Sequence, residues 1–345
     1  MTGQRLKGPL GGARPRGQAG PAGLILRDVA PDIRQMRVPL DTGIDHNNVY
    51  LVREDPGWCV FDTGMDSQAV RDLWTAALSG PLSDGISRIV VSHHHPDHLG
   101  LAAWLQEMTG APVYVRPEEL RAAQGMGLSD LTAETAVREY FLRKGMPSAD
   151  VERTIEEQMR SFYACAIPRD TRTVEHGQRM TVGRYVFEAL VAGGHSVAQI
   201  ALYDPAGKIL LAGDQMLEWI TSNVGLWPFG DRAPLGNHFR ALDEIAARDI
   251  RIVLPGHHNV YRTDGSLPEK LRAHHRTMLS TVRDGLKGRM TGFELAQVVF
   301  GRRHDLLHRI LALVETLAHL QWLEGEGSVA RHDGPRLSYY ERVTR

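Results

Sequence analysis

Residues 90–100, "VVSHHHPDHLG", place four histidines and one aspartate within six consecutive positions at the end of an apolar run. Histidine is the commonest metal ligand among side chains and is mostly neutral near pH 7, so this density points first to a metal site. The run before it, "ISRIVVS" from residue 86, fits a strand covered on both faces. The cluster then lies on the loop at that strand's C-terminal end, where layered α/β folds gather their sites. Within one loop the alternate residues His93 and His95 can face one ion, while Asp97 and His98 turn the other way toward a second. A hydrolytic zinc takes three protein ligands and keeps one position open for water, so each half-set needs help from afar. His195 in "GGHSVAQI", Asp214 in "LLAGDQM" and His257 in "LPGHHNV" each stand where a predicted strand stops.

Outward from the cluster, the chain reads as short apolar segments bounded by turn residues. "IRQMRV", "NVYLVR" and "WCVFDTG" are too brief for helices and predict a sheet, with a helix expected near 67–79. Downstream, "RYVFEALVA", "QIALYD" and "KILLAGD" predict strands, the last two joined as a hairpin by "PAG". A helix near 236–248 precedes the strand in "RIVLPGHH". Between the two blocks, residues 117–168 read as a helical insert, with Ser148 and Asp150 as expected caps. An insert between two ligand motifs should fold over or beside the ions. Its Tyr140, Phe141, Phe162 and Tyr163, with Trp219, Trp227 and Phe229 after Asp214, are candidates to line an apolar pocket, although helical spacing fits a core equally well.

After Tyr261 the character changes. A long helix at 267–287, a helix opened by Thr291 and Glu294 at capping-box spacing, a third helix from Asp305 and a hairpin around "DG" predict a small winged-helix-like domain over 263–345. It follows a catalytic domain expected over 25–262. Residues 1–24 hold seven Gly, three Pro, four basic residues and no acid, and predict a disordered tail.

Composition sets the bounds. With 345 residues, 42% hydrophobic, the chain can bury a real core, and a formal net charge of -1 argues against a general polyanion binder. Cys59 and Cys165 are too few and too far apart for a disulfide framework or a cysteine zinc module, which favours apolar fillers in a reducing cytoplasm. No run reaches the roughly 18 apolar residues of a membrane span.

His93-x-His95-x-Asp97-His98, then Gly194-His195, Gly213-Asp214 and Gly256-His257, with "FDTG" at 61–64 ahead of them, resemble the ordered motif set of the metallo-β-lactamase-fold hydrolases, over about residues 33–260. The resemblance implies a four-layer αββα sandwich around two divalent metal ions, usually zinc, with iron or manganese as alternatives. Carried over, His93, His95 and His195 bind one ion, Asp97, His98 and His257 the other, and Asp214 bridges. Asp97 and Asp214 carry the catalytic roles, a metal-bridging hydroxide attacking the substrate while Asp97 orients it. His94 is a spectator, His257 is preferred to His258 because it directly follows Pro-Gly, and Asp62 supports the site by hydrogen bonding.

Within the family, an aspartate at the bridge speaks against antibiotic hydrolysis and resembles glyoxalase II, yet no basic glutathione-binding sequence is evident near the C-terminus. That region, about 265–343, instead resembles the winged-helix appendage of β-lactamase-like protein 2. It carries 13 Lys or Arg against 10 Asp or Glu between residues 263 and 345, a net of +3, a weak signature for phosphate contacts. The expected activity is therefore hydrolysis of a small-molecule acyl substrate, a thioester or lactone, by a cytoplasmic enzyme without membrane attachment. Homodimerisation stays open. Cleavage of single-stranded RNA and mono-iron persulfide oxygenation are the rivals, and nucleic acid is the weaker partner of the two substrate classes.

Overall fold

Short apolar segments pair into two mixed sheets whose inner faces meet. The computed structural model describes residues 23–40, 46–160, 163–303 and 305–343; most of the expected N-terminal tail, and Phe162, lie outside them. The first sheet runs in sequence order through β1 (Leu26–Ala30), β2 (Ile33–Pro39), β3 (His46–Arg53), β4 (Trp58–Phe61), β5 (Ile86–Val90), β6 (Val113–Tyr114) and β7 (Thr171–Arg172). The second is built from β8 (Arg179–Val182), β9 (Tyr185–Ala192), β10 (Gln199–Asp204), β11 (Ile209–Gly213), β12 (Ile252–Pro255) and β13 (Tyr261–Arg262), ordered β13-β12-β11-β10-β9-β8. Tyr50, Phe61 and Val90 from the first sheet and Phe187, Leu202 and Leu254 from the second share one buried cluster.

Helices cover both outer faces. On the first sheet, α1 (Gln68–Leu78) buries Val70 and Trp74 in a cluster that also takes Leu105 from α3 (Ala102–Thr109), beyond the single-turn α2 (Pro96–Leu99). On the second, α7 (Pro234–Ala246) and α8 (Leu267–Gly285) contribute Leu235, Leu242 and Leu271. The result is the four-layer αββα sandwich that the motifs imply.

Two parallel pairings position the chemistry. Pairing Phe61 with Val90 brings the ends of β4 and β5 together, so Asp62 and Ser92 are neighbours; pairing Gly213 with Pro255 does the same for Asp214 and His257. The elements not predicted include β1, β8 and α3 as well as β6, β7, β13 and β14 (Met290–Thr291), the last four being two-residue strands too short to carry an alternation. The expected loop at 93–98 is partly helical. Proline at the first helical position starts α2 with His95 as its N-cap, which places Asp97 and His98 in a fixed turn.

The insert comprises α4 (Pro117–Met126), α5 (Leu131–Arg143), α6 (Ser148–Arg153) and a π-helical turn, Thr154–Arg160. Asp130 caps α5 through Ala133 N at 2.8 Å, whereas the expected caps of α6 do not act as such. Pro147 is the N-cap, so Ser148 is already one residue inside the helix and its hydroxyl makes no cap hydrogen bond; Asp150 instead pairs with Arg309 at 2.5 Å. Phe141, Ile155 and Met159 of the insert share a core with Val282 of α8 and with Leu313 and Leu317 of α10 (Leu306–Gly325). The capping box of α9 (Gly292–Phe300) forms as the spacing of Thr291 and Glu294 requires. β14, β15 (Val329–Asp333) and β16 (Ser338–Arg342) close this end as a three-stranded sheet. Cys59 is buried and Cys165 half-buried, both as free thiols.

At the junction of α7, α8 and α10, His238, His275 and His319 are 4%, 1% and 0% exposed. Burial, aided by neighbouring charges, holds their imidazoles at about 3, 2 and 4. The unfolded chain takes up protons near pH 6.5 and the folded chain does not, so stability present above pH 6.5 is lost as pH falls toward those values, by about 1.4 kcal/mol per pH unit for each group. Denaturant melts of metal-free protein between pH 7.5 and 5 are expected to show this decline, with a shallower slope in His319→Leu; equal slopes would contradict it.

Candidate metal centre

All seven expected ligands converge at one end of the sandwich. His93 follows β5, His195 lies on the loop between β9 and β10, Asp214 follows β11 and His257 follows β12, while Asp97 and His98 come from α2. His93, His95 and His195 offer one atom each within 4.8 Å of one another, as do Asp97, His98 and His257, and as do His93, His98 and Asp214. Asp214 stands between the sets. Its Oδ2 lies 3.4 Å from His195 Nε2 and 3.3 Å from His257 Nε2, and its Oδ1 lies 3.5 Å from His98 Nε2. Asp97 Oδ2 lies 3.2 Å from His257 Nε2 and 3.5 Å from His98 Nε2. Ligands held at about 2.0–2.2 Å from a tetrahedral ion stand roughly 3.3–3.6 Å apart, so these spacings suit a shared cation.

The hydrogen bonds of the far ring edges decide which nitrogen faces inward. His195 Nδ1 donates to Asn223 O at 3.0 Å and His257 Nδ1 to His46 O at 3.1 Å; a carbonyl only accepts, so each Nε2 is left as a bare lone pair when the ring is neutral. His98 Nδ1 lies 2.8 Å from Asp62 Oδ2, and the same carboxylate accepts from Ser92 N at 2.7 Å and Ser92 Oγ at 2.9 Å. Asp62 thus supports His98 and stays outside the ligand groups. It adopts φ +64°, a left-handed conformation that Asp tolerates better than most side chains. His258 also has positive φ; its carbonyl accepts from Asn48 Nδ2 at 2.9 Å, and His257 is the member of the pair within the cluster.

His94 points away from the cluster to a residue the motif reading missed. Its Nδ1 and backbone N lie 2.6 and 3.0 Å from Glu119 Oε2, while Glu119 Oε1 accepts from Ser196 Oγ at 2.7 Å and Ala198 N at 2.5 Å. Burial opposes ionisation of Glu119, but His94 and these donors hold its carboxyl below the usual range. One buried carboxylate from α4 therefore ties the His93–His98 segment to the His195 loop. Nothing local in "PEELRAAQGM" marks Glu119, since two glutamates in a first helical turn are ordinary. Asp231 is a second such tie, accepting from Gly194 N at 2.9 Å.

The donor set fits divalent cations. His98 Nε2, His195 Nε2 and Asp214 Oδ1 are buried and have no hydrogen-bond partner among the described residues, a costly condition unless a cation completes them. Gly256 leaves room for this arrangement: a Cβ there would stand 2.3 Å from Asp214 Oδ1 and 2.8 Å from His98 Cε1. Burial holds the His93 and His95 imidazoles well below their usual range, reinforced by the surrounding histidines, so both are neutral. Burial opposes ionisation of Asp97 and Asp214, yet His98 and His257 keep both carboxyls well below theirs.

Of the expected pocket aromatics, Tyr163 approaches the site, with Trp227 beside it. Tyr163 stacks 6.4 Å from His94, meets His95 edge-on at 6.1 Å and lies 6.4 Å from Trp227. Phe141 is wholly core, Trp219 is 40% exposed, and Tyr140 spends its hydroxyl on Leu226 O.

This fold with this site defines a known class. The chain belongs to the metallo-beta-lactamase superfamily, whose model matches residues 42–257; a model of the metallo-beta-lactamase-like C-terminal domain matches residues 279–342. It is 28% identical over 326 residues to the probable metallo-hydrolase YqjP of Bacillus subtilis, covering 91% of this chain and 99% of that one. It is 25% identical over 225 residues to an acyl-coenzyme A thioesterase of Gallus gallus, covering 62% of this chain and 73% of that one. In structure it is similar to a beta-lactamase domain protein from Burkholderia ambifaria, with a TM-score of 0.84, 28% identity and coverage of 96% and 97% of the two chains.

Asp62→Asn tests the supporting hydrogen bonds with little change of shape or backbone preference. The amide has one acceptor oxygen where the carboxylate offers two, so either His98 Nδ1 or Ser92 loses its acceptor. Zinc affinity, measured by competition with a chromogenic chelator, is expected to fall about 10–100-fold; unchanged affinity would contradict this role for Asp62.

Proposed function

We propose that the protein is a dinuclear metal-dependent hydrolase of carbonyl esters, acting on an acyl thioester or a lactone. The observation that carries this reading is Asp214, whose two carboxylate oxygens face His98 on one side and His195 with His257 on the other. His93, His95 and His195 would hold one ion, Asp97, His98 and His257 the other, with Asp214 between them. Zinc is the expected metal, and elemental analysis separates it from iron or manganese. When bound, two divalent ions lower the pKa of a water toward neutrality and polarise the oxygen under attack.

The chain's own residues supply the rest. Asp97, whose Oδ2 faces His98 Nε2 and His257 Nε2, would orient the attacking water through its carboxylate. Tyr163, beside His94 and His95 and backed by Trp227, offers an apolar wall suited to an acyl chain and to excluding bulk water. The thioesterase relative supports the same substrate class.

The C-terminal helices and small sheet make a winged-helix-type appendage in this reading, with a packing role. Leu306, Ile310, Leu313, Val314, Leu317 and Leu320 of α10 are buried, so its apolar face is occupied by the core and unavailable to a nucleic-acid groove. A soluble cytoplasmic enzyme accords with this reading; among the described residues no helix is long and apolar enough to cross a membrane.

Metal-loaded protein assayed against acyl-coenzyme A thioesters, lactones and single-stranded RNA tests the proposal. Thiol release or lactone opening is expected, falling about 10³-fold or more in His95→Ala and Asp214→Ala, because metal activation is worth several kcal/mol of barrier. RNA cleavage alone, oxygen uptake with one iron per chain, or full activity in these variants would overturn it.

A further inference from the structure

A second group of metal-type donors lies outside the seven ligands, between α8 and α10. One ring nitrogen each of His274 and His275 and one carboxylate oxygen of Glu315 lie within 4.8 Å of one another. His275 is 1% exposed, and its Nε2 is buried with no hydrogen-bond partner among the described residues. We propose that His274, His275 and Glu315 form an additional binding site for a divalent cation of the zinc, cobalt or nickel type, which pins α8 to α10.

A chain of hydrogen bonds sets the tautomers. His319 Nδ1 lies 2.7 Å from the backbone carbonyl of Glu315, which only accepts, so the proton is on Nδ1. With His319 neutral, its Nε2 accepts from His275 Nδ1 at 3.2 Å. The proton of His275 is thereby committed to Nδ1, and its Nε2 is a bare, buried lone pair. This is the arrangement of a metal-binding histidine whose other nitrogen donates to an orienting partner. The low values of His275 and His319 agree, because both rings stay neutral throughout the physiological range.

Glu315 supplies the charge. Among the described residues its side chain accepts one hydrogen bond, from Asn223 Nδ2 at 3.2 Å, and burial pushes its carboxyl up to about 7 despite that bond. Glu315 is half-buried and has no cationic partner among the described residues, and a divalent ion would supply one. His274 lies at the exposed edge of the group and gives the ion a route in. Two imidazoles and a carboxylate are a ligand set that zinc accepts, with water in the fourth position. Asn223 also joins this group to the main centre, since its carbonyl receives His195 Nδ1. Removing the ion therefore loosens an orienting contact of a catalytic-centre histidine as well as the helix junction.

The site is independent of the activity assigned above, and metal counting tests it separately. Chelator-stripped wild-type chain and the variants His274→Ala, Glu315→Gln and His95→Ala/Asp214→Ala are reloaded with Zn²⁺, desalted and analysed for zinc per chain, with circular dichroism as the check on folding. His274→Ala and Glu315→Gln are expected to hold one equivalent fewer than wild type. The His95→Ala/Asp214→Ala chain keeps Asp97, His98 and His257 as well as the proposed site, and adding His274→Ala to it should remove one equivalent of zinc and lower the Zn²⁺-dependent rise of its melting temperature. Wild-type stoichiometry in folded His274→Ala and Glu315→Gln, or no bound zinc in a folded His95→Ala/Asp214→Ala chain, would overturn the proposal.

Discussion

Two carboxylates, Asp97 and Asp214, are buried against imidazole nitrogens, of which His98 Nε2 and His195 Nε2 have no hydrogen-bond partner among the described residues, and the rest of the molecule is arranged around that constraint. Without a cation, Asp97 and Asp214 outweigh burial and push the His98 imidazole well above its usual range and that of His257 up to about 10, so both rings carry protons that a bound divalent ion would displace. The sandwich supplies compensating rigidity. Parallel pairing of β4 with β5 and of β11 with β12 sets the ligand-bearing loops side by side. Gly256 N donates to Gly213 O at 2.7 Å, and Asn48 N donates to Gly256 O at 2.7 Å, so the loop carrying His257 is stitched to both sheets.

Around the ligands, buried anions act as fasteners. Asp62 orients His98, Glu119 ties the His93–His98 segment to the His195 loop, and Asp231 holds Gly194. Each is satisfied by several donors, which is how a buried carboxylate becomes a source of precision instead of a defect. The helical insert belongs to the same logic. It shares one core with the C-terminal helices, so the wall bearing Tyr163 and Trp227 rests on α10 and cannot drift freely over the site.

The convergence of the seven donors was legible because His-x-His-x-Asp-His concentrates metal-type side chains that chance seldom assembles, and because later donors recur at strand ends. The two layers of strands were legible from their turn-bounded apolar runs. Glu119, Asn223 and Asp231 were not, since each acts through contacts with residues distant in sequence and looks locally like any polar residue near a helix or loop. The misplaced cap at Ser148 has a local cause: Pro147 takes the N-cap position and pushes the hydroxyl inside the helix. Whether the aromatic residues of the insert faced a pocket or a core depended on packing against α10, which periodicity within the insert does not encode.

Anomalous diffraction from crystals grown with zinc addresses the central claim most directly. The account predicts two ions about 3.5–4 Å apart, one against His93, His95 and His195 and one against Asp97, His98 and His257, with Asp214 touching both. A single ion at that end of the sandwich, or none in zinc-saturated crystals, would contradict it.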